Sequence, residues 1–253
     1  MRLYVLFAGQ CAVDQGVFVT PGEGFGQLVM CPVPAYLVET DDGERVLIDT
    51  GLHPDHIADP SCTWRQRPEM DAMLRPSMLA ENRLEYQLDL IGMSPRDITH
   101  VVNSHLHFDH CGQNYLFKDA QILVSGRHFG AVRDHPDFPV RYFDMPDLNY
   151  VFTEAEGELF AGIDAIDTPG HAPYHRSFMV SLPHTGKVVL CADAIINRQQ
   201  LESGDWAGAM DPRGAGESAE LLMEIAAREN AQLFFGHDHE QWVALRKAPE
   251  FYD

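Results

Sequence analysis

The chain has 253 residues, which suffices for one large domain or two small ones, and 45% of its residues are hydrophobic. Its 18 basic and 38 acidic residues give a formal net charge of −20, which disfavours binding to nucleic acids and to anionic membranes. The five cysteines include no Cys-x-x-Cys pair, and the first residues lack the apolar core and cleavage site of a signal peptide. We therefore expect a cytoplasmic protein with a sizeable core, no disulfide framework, and no nucleic-acid or membrane partner.

Short apolar runs bounded by turn residues predict strands along most of the chain, and a few segments have helical spacing. The predicted strands are 2–8, 35–39, 45–49, 98–103, 121–124, 150–153, 158–160, 163–167, 176–182, 187–192 and 231–235. The predicted helices are 81–92, 127–133 and 217–229. Because strands and helices occur in two mixed groups without a clear linker, we expect an α/β (α+β) sandwich that forms one domain over residues 1–253.

The segment 52–80 is polar and rich in proline, and it predicts a long excursion with short helical pieces. The overlapping region from Pro60 to Arg83 contains several flexible apolar side chains, namely Met70, Met73, Met78 and Leu79. We expect this region to supply a lid over a site or a contact in a homodimer, with core packing as the alternative.

The strand predicted over 98–103 runs into Ser-His-Leu-His-Phe-Asp-His, which places four potential metal ligands within six positions. Alternation along an extended chain sends His105 and His107 to the same side of the strand. The following turn can bring Asp109 and His110 to a neighbouring position. This spacing predicts two cations a few ångströms apart, each taking a share of the ligands.

Three further potential ligands come just past the ends of predicted strands: His171, Asp193 and His237. Each signal is weak alone, because a single histidine after a strand is more often structural. Together with the first cluster they form a set of seven histidine and carboxylate ligands. Such a set suits two zinc ions, and it also suits iron, cobalt or manganese.

This ligand series resembles that of the metallo-β-lactamase superfamily. The segments VLIDTG, VVNSHLHFDHCGQN and DTPGHAPYHRS resemble its N-acyl-homoserine lactonase group most, and the resemblance covers nearly the whole chain. It implies an αββα sandwich with Asp49 as a supporting residue near the site. It also implies a dinuclear centre whose ligands are His105, His107 and His171 for one metal, Asp109, His110 and His237 for the other, and Asp193 as the bridge.

The resemblance further implies hydrolysis of a small-molecule lactone, with N-acyl-homoserine lactones as the first substrate expected. A metal-bridging hydroxide would attack the ring carbonyl. Asp109 would also pass a proton to the leaving oxygen, which makes it the implied catalytic residue. Phe108 lies inside the motif, and we predict that it lines the substrate side, with core packing as an equal alternative.

One position departs from the lactonase group, which carries a tyrosine three residues after the bridging aspartate to hold the substrate carbonyl. Ile196 occupies this position, and its side chain cannot donate a hydrogen bond. We predict Tyr174 as the replacement substrate contact. Weaker candidates for the same role are Tyr142, Tyr150 and His239.

Ile196 also keeps a second function open, namely another lactone or ester hydrolase, or a glyoxalase-type thioesterase, on the same dinuclear site. A phosphodiesterase or tRNA-processing nuclease is disfavoured, because phosphate binding requires basic groups and this chain has only 18 lysines and arginines against 38 acidic residues. Di-iron redox relatives usually replace the second histidine of the motif with glutamate, so His107 favours hydrolytic zinc.

Overall fold

The computed structural model describes residues 1–20 and 22–253, and its strands in these ranges form two sheets. The strands are β1 Arg2–Asp14, β2 Leu28–Glu39, β3 Arg45–Ile48, β4 Leu74–Ser77, β5 His100–Val102, β6 Gln121–Val124, β7 Asn149–Phe152, β8 Gly157–Phe160, β9 Ile163–Asp167, β10 Arg176–Leu182, β11 Gly186–Leu190 and β12 Gln232–Phe234. The first sheet has the order β4-β1-β2-β3-β5-β6-β7, and the second has the order β12-β11-β10-β9-β8.

The α-helices of the described residues are α1 Asp55–Ala58, α2 Pro68–Met73, α3 Leu84–Asp89, α4 Gly126–Val132, α5 Arg198–Ser203, α6 Pro212–Glu229 and α7 His239–Ala244. Other helical turns, which are not α-helical, occur at Gln15–Val19, Ala80–Asn82, Pro95–Asp97, Asn114–Leu116, Val140–Tyr142 and Ala192–Ala194. Over residues 1–20 and 22–253, none of the helices combines the length and the apolar character that a bilayer crossing requires.

The two sheets pack face to face, and helices cover their outer faces. Side chains alternate along each strand, so β1 sends Val5 inward against Phe178 of the second sheet and Leu6 outward. Outside the first sheet Leu6 lies in one cluster with Leu88 of α3, and outside the second sheet Leu222 of α6 packs into another. This αββα arrangement confirms the predicted fold class.

The first two strands are longer than the sequence predicted. The strand predicted over 2–8 continues to Asp14, and the strand predicted over 35–39 already begins at Leu28. Prolines at 32 and 34 obscured the second strand. They are tolerated because β3 pairs only with residues 36–39 of β2, so the earlier part of β2 has an open edge on that side.

Other differences concern short elements whose ends depend on tertiary contacts. The helix predicted over 81–92 is confined to Leu84–Asp89, and β4 lies within the predicted excursion 52–80. The helix predicted over 217–229 begins earlier, at Pro212, because the Asp211 carboxylate caps it by accepting from the Gly214 N–H at 3.1 Å. Helices α5 and α7 had no periodic signal, since six residues are too few to show one.

Strand direction brings the chain segments of interest to one edge of the sandwich. β3 and β5 run parallel in the first sheet, and β11 and β12 run parallel in the second. Their carboxyl ends are followed by Asp49, His105, Asp193 and His237, respectively. The edge where these four ends meet holds the candidate site.

Candidate metal centre

The seven residues singled out in the sequence come together at this edge in two adjoining groups. Within each group the nitrogen or carboxylate oxygen atoms lie within 4.8 Å of one another. The first group is His105, His107, His171 and Asp193, and the second is Asp109, His110 and His237. Each group has the histidine and carboxylate donors that zinc and similar divalent cations accept.

Asp193 lies between the two groups and presents one oxygen to each. Its Oδ2 is 3.1 Å from Nε2 of His171 and 3.9 Å from Nε2 of His105. Its Oδ1 is 3.1 Å from Nε2 of His110 and 3.0 Å from Nε2 of His237. A carboxylate in this position can contribute one ligand atom to each of two cations.

A hydrogen-bond chain behind the cluster fixes the orientation of two imidazoles. The Asp49 carboxylate accepts from His110 Nδ1 at 2.8 Å, from the Ser104 N–H at 2.8 Å and from the Ser104 hydroxyl at 2.7 Å. The Ser104 hydroxyl oxygen in turn accepts from His105 Nδ1 at 3.0 Å. With each Nδ1 acting as a donor, the Nε2 lone pairs of His105 and His110 are left for a cation.

His237 follows β12 of the second sheet, and a backbone carbonyl of the first sheet orients its ring. His237 Nδ1 donates to the Pro32 carbonyl at 2.7 Å, so its Nε2 also faces the cluster. The preceding residue, Gly236, lies so close to the Ala192 carbonyl oxygen that a Cβ atom would overlap it. Only glycine therefore lets the segment after β12 approach the loop that carries Asp193.

Two residues beside the ligands have left-handed backbone conformations. Asp49 has φ 59° and Ala192 has φ 44°. Aspartate tolerates this region, whereas alanine adopts it at a cost of about 1–2 kcal/mol. Such strain, placed next to Asp193, is typical of sites in which neighbouring contacts fix the backbone.

Several buried polar atoms of the cluster have no hydrogen-bond partner among the described residues: Nε2 of His110, Nε2 of His237 and Oδ1 of Asp193. Leaving a buried polar atom unpaired costs about 1–3 kcal/mol. These three atoms converge on one another, and a cation would satisfy them together. The residues present therefore fit divalent metal ions.

The charge states of Asp193 and His105 agree with this fit. Burial raises the pKa of Asp193, but the imidazoles of His237, His110 and His171 outweigh burial and hold the pKa well below its ordinary value. Burial lowers the pKa of His105 well below its usual value, so the ring is neutral. An ionised carboxylate and a neutral imidazole are the forms that coordinate metals.

Two further buried histidines support the cluster from behind. His175 Nε2 accepts from the Asp193 N–H at 3.2 Å, and its Nδ1 donates to the Thr168 hydroxyl at 2.9 Å. His128 Nε2 accepts from the Leu106 N–H at 2.9 Å, between the two histidines of the motif. No sequence motif includes His128, because it lies in α4, well past the ligand motif.

A pocket of about 190 Å³ lies over the cluster, and its lining is mainly apolar. Phe108 lines it and packs edge-on against Trp64 at 5.2 Å between ring centroids, so Phe108 is both a core residue and a pocket residue. Met70 and Leu74 line it from the predicted excursion, and Ile196 lines it beside Asp193. Most of the polar residues in the lining belong to the two ligand groups.

The tyrosines expected to replace the missing hydroxyl do not line this pocket. Tyr174 is 44% exposed, and its ring lies beside the Arg127 guanidinium rather than over the cluster. Tyr142 is buried, and its hydroxyl is paired with that of Thr63 at 2.9 Å. Tyr150 accepts from Asn114. The prediction of Tyr174 as a pocket residue therefore needs correction, because backbone direction after His171 could not be read from spacing alone.

An αββα sandwich with two adjoining histidine–carboxylate groups at its strand ends defines the class of dinuclear metallohydrolases. A model of the metallo-β-lactamase superfamily matches residues 28–245. The chain belongs to this superfamily and, within it, to the N-acyl homoserine lactonase group, of which relatives that are 30% and 32% identical match it over 99% or more of its length. Its histidine and aspartate cluster is accordingly a divalent-metal site.

The similarity to relatives extends over the full chain. An N-acyl homoserine lactonase of Bacillus thuringiensis is 32% identical, covering 99% of this chain and 98% of its own. The lactonase AttM of Azorhizobium caulinodans is 30% identical, covering 100% and 99%. A solved N-acyl homoserine lactone hydrolase has its product N-hexanoyl-L-homoserine bound at the catalytic metal centre. It has a TM-score of 0.91 at 31% identity, covering 99% of this chain and 98% of its own.

Proposed function

We infer that this chain is a metal-dependent lactonase that hydrolyses N-acyl homoserine lactones. The observation that carries the inference is the Asp193 carboxylate, with one oxygen facing each ligand group beneath a mainly apolar pocket. Relatives with this activity match the chain from end to end.

We propose that the two cations are zinc, with iron, cobalt or manganese as substitutes. The proposed ligands are His105, His107 and His171 for one ion, Asp109, His110 and His237 for the other, and Asp193 for both. When bound, two such ions activate water and polarise the carbonyl group of an ester. The donor set contains histidine and aspartate and no cysteine, which supports zinc in a catalytic rather than a structural role.

The protein's own groups would orient the reaction. Asp109 lines the pocket, and its carboxylate lies 3.7 Å from His237 Nε2 and 4.0 Å from His110 Nε2. A carboxylate at the boundary between cluster and pocket can carry a proton to the alkoxide that leaves when the ring opens, so we propose Asp109 as the catalytic residue. Phe108 would exclude water beside it.

The apolar pocket supports an acylated substrate. Trp64, Met70, Leu74 and Phe108 offer hydrophobic surface to a hydrocarbon chain, and burying each CH₂ contributes about 0.8 kcal/mol. Lysine and arginine are not among the residues that line this pocket in the described ranges, so its side chains offer no ammonium or guanidinium group to a phosphate. A neutral lactone with an aliphatic tail fits this lining.

The test is hydrolysis by the zinc-reconstituted protein, followed with a pH indicator because ring opening releases an acid. Butanoyl, hexanoyl and dodecanoyl homoserine lactones are compared with a γ-lactone lacking the acylamino group, a simple ester and a glutathione thioester. Turnover on the order of 10 s⁻¹ on the acylated lactones supports the proposal. Preference for the thioester or the ester would instead favour the second candidate, a different hydrolase on the same centre.

Ile196 is the observation that keeps this second candidate open, since it presents an apolar side chain to the pocket where the lactonase group has tyrosine.

We further propose that residues 1–253 form one domain. Its support is the pairing of the two chain ends, where Leu3 and Tyr252 exchange backbone hydrogen bonds at 2.8 and 2.9 Å. Cytoplasmic location and homodimer formation stay predictions.

A further inference from the structure

A second, smaller cavity adjoins the metal centre on the side of α5. It is bounded by His171 and Asp193 of the cluster, by the apolar side chains of Phe18 and Ile196, and by Gln200. Gln200 is the third residue of α5 and is only 8% exposed. It is therefore a buried neutral polar side chain at the edge of the site, and no sequence motif predicts a role for it.

The orientation of the Gln200 carboxamide is fixed by its neighbour. Its Oε1 accepts from the Ile196 N–H at 2.9 Å. A backbone N–H can only donate, so the atom that faces it must be the carbonyl oxygen and not the NH₂ group. The Gln200 backbone is also fixed, because its N–H donates to the Asn197 side chain that caps α5 at 2.7 Å.

This arrangement leaves the NH₂ group of Gln200 for the cavity. In the part of the chain that the structure describes, Nε2 donates to no residue, although the side chain is more than nine-tenths buried. The carboxylates that share the cavity lining, Asp193 and Asp205, are acceptors. A bound molecule that carries a carbonyl oxygen would satisfy the free donor.

We propose that Gln200 Nε2 donates a hydrogen bond to the ring carbonyl oxygen of the lactone substrate. This inference rests on the proposed lactonase function. The apolar pocket with Trp64, Met70 and Leu74 takes the acyl chain, and the smaller cavity on the other side of His171 and Asp193 takes the polar ring. The Ile196 side chain supplies no donor there, but the Ile196 backbone N–H orients the Gln200 side chain, which supplies one.

The experiment compares Gln200→Glu and Gln200→Met with the wild-type zinc enzyme. Glutamate keeps an oxygen for the Ile196 N–H but replaces the donor with an acceptor, and methionine removes the donor without adding charge. Gln232→Glu is the control, because it adds the same charge at an exposed position and does not line either cavity. Zinc content and thermal midpoint are measured for every variant.

Both Gln200 variants should lose about 100-fold in kcat/KM on hexanoyl homoserine lactone, since removing one donor to a developing oxyanion costs about that much. The loss should be equally large on the γ-lactone that lacks the acylamino group. The Kd for a non-hydrolysable N-acyl homoserine lactam should rise about tenfold. Zinc content and thermal midpoint of both variants should stay at wild-type values, and so should the activity of the Gln232→Glu control.

Activity within twofold of wild type in both Gln200 variants would overturn the inference and leave the lactonase proposal intact. A loss confined to Gln200→Glu would also overturn it, because the charge would then be the cause. So would a loss that follows zinc content or thermal midpoint, which would indicate a structural role. If the wild-type enzyme neither opens lactones nor binds the lactam, the proposed function fails and this inference fails with it.

Discussion

The carboxylate of Asp49 accepts a hydrogen bond from Nδ1 of His110 at 2.8 Å, and both side chains are buried. This contact fixes the tautomer that presents Nε2 of His110 to the cluster, and it adds negative charge behind the ring. The carboxylates of Asp193, Asp49 and Asp109 outweigh the effect of burial and raise the pKa of His110 well above its usual value. The same negative potential would favour a bound cation.

Asp49→Asn should therefore weaken zinc binding by about 10- to 100-fold, because the amide removes the charge and offers a poorer acceptor to His110. Competition with a chromophoric chelator measures the affinity. Asp89→Asn, on the exposed surface of α3, serves as the control and should bind zinc as the wild type does. Equal affinity in the Asp49 variant would show that this contact does not tune the metal.

Asp193→Ala should lose both metal ions together with activity, because one oxygen faces each ligand group. His107→Ala should retain more of the second ion than of the first, because His107 belongs to one group only. Elemental analysis of the dialysed proteins measures the stoichiometry, with the exposed His184→Ala as control. Two ions retained by the Asp193 variant would contradict the bridging role.

Met70→Ala should reduce kcat/KM for dodecanoyl homoserine lactone about tenfold and leave the butanoyl substrate nearly unchanged. Met70 lines the apolar pocket, and only a substrate with a long acyl chain extends far enough to lose contacts when Met70 is truncated. Met73→Ala, on the same helix but outside the pocket lining, is the matched control. Equal losses on both substrates would place the acyl chain elsewhere.

The buried ring of His56 predicts a pH-dependent contribution to stability. Burial lowers its pKa to about 4, while its Nδ1 donates to the His53 carbonyl at 2.9 Å and its Nε2 accepts from the Thr63 hydroxyl at 2.8 Å. The unfolded chain takes up a proton near pH 6.5 and the folded chain only near pH 4. This contribution is therefore complete above pH 6.5 and is lost as pH falls towards 4.

The difference in unfolding free energy between wild type and His56→Gln should accordingly be about 2 kcal/mol larger at pH 7 than at pH 4.5. Urea unfolding at the two pH values measures it. The corresponding difference for Val243→Ala, a side chain that does not titrate and is 81% exposed, should not change between them. A pH-independent difference for His56→Gln would mean that the ring does not titrate as its burial requires.

The sequence by itself determined the fold class and the seven ligand candidates. His-x-His-x-Asp-His is a local pattern that can be recognised without knowledge of the rest of the chain, although in the structure it follows β5 and does not lie in a strand. The other three ligands could be found because each follows an apolar strand. Parallel strands of an α/β sandwich end at a common edge, which brought His171, Asp193 and His237 to the motif.

The tertiary structure alone decided what surrounds those ligands. Tyr174 follows His171 closely in sequence, yet its side chain is 44% exposed and outside the pocket lining. Gln200, Pro32 and His128 acquire their roles through contacts between distant segments, as when Pro32 accepts from His237. The spacing of residues along the chain indicates which of them share a strand or a turn. It does not record which donors and acceptors meet when separate elements pack, because packing and hydrogen-bond satisfaction are properties of the assembled core.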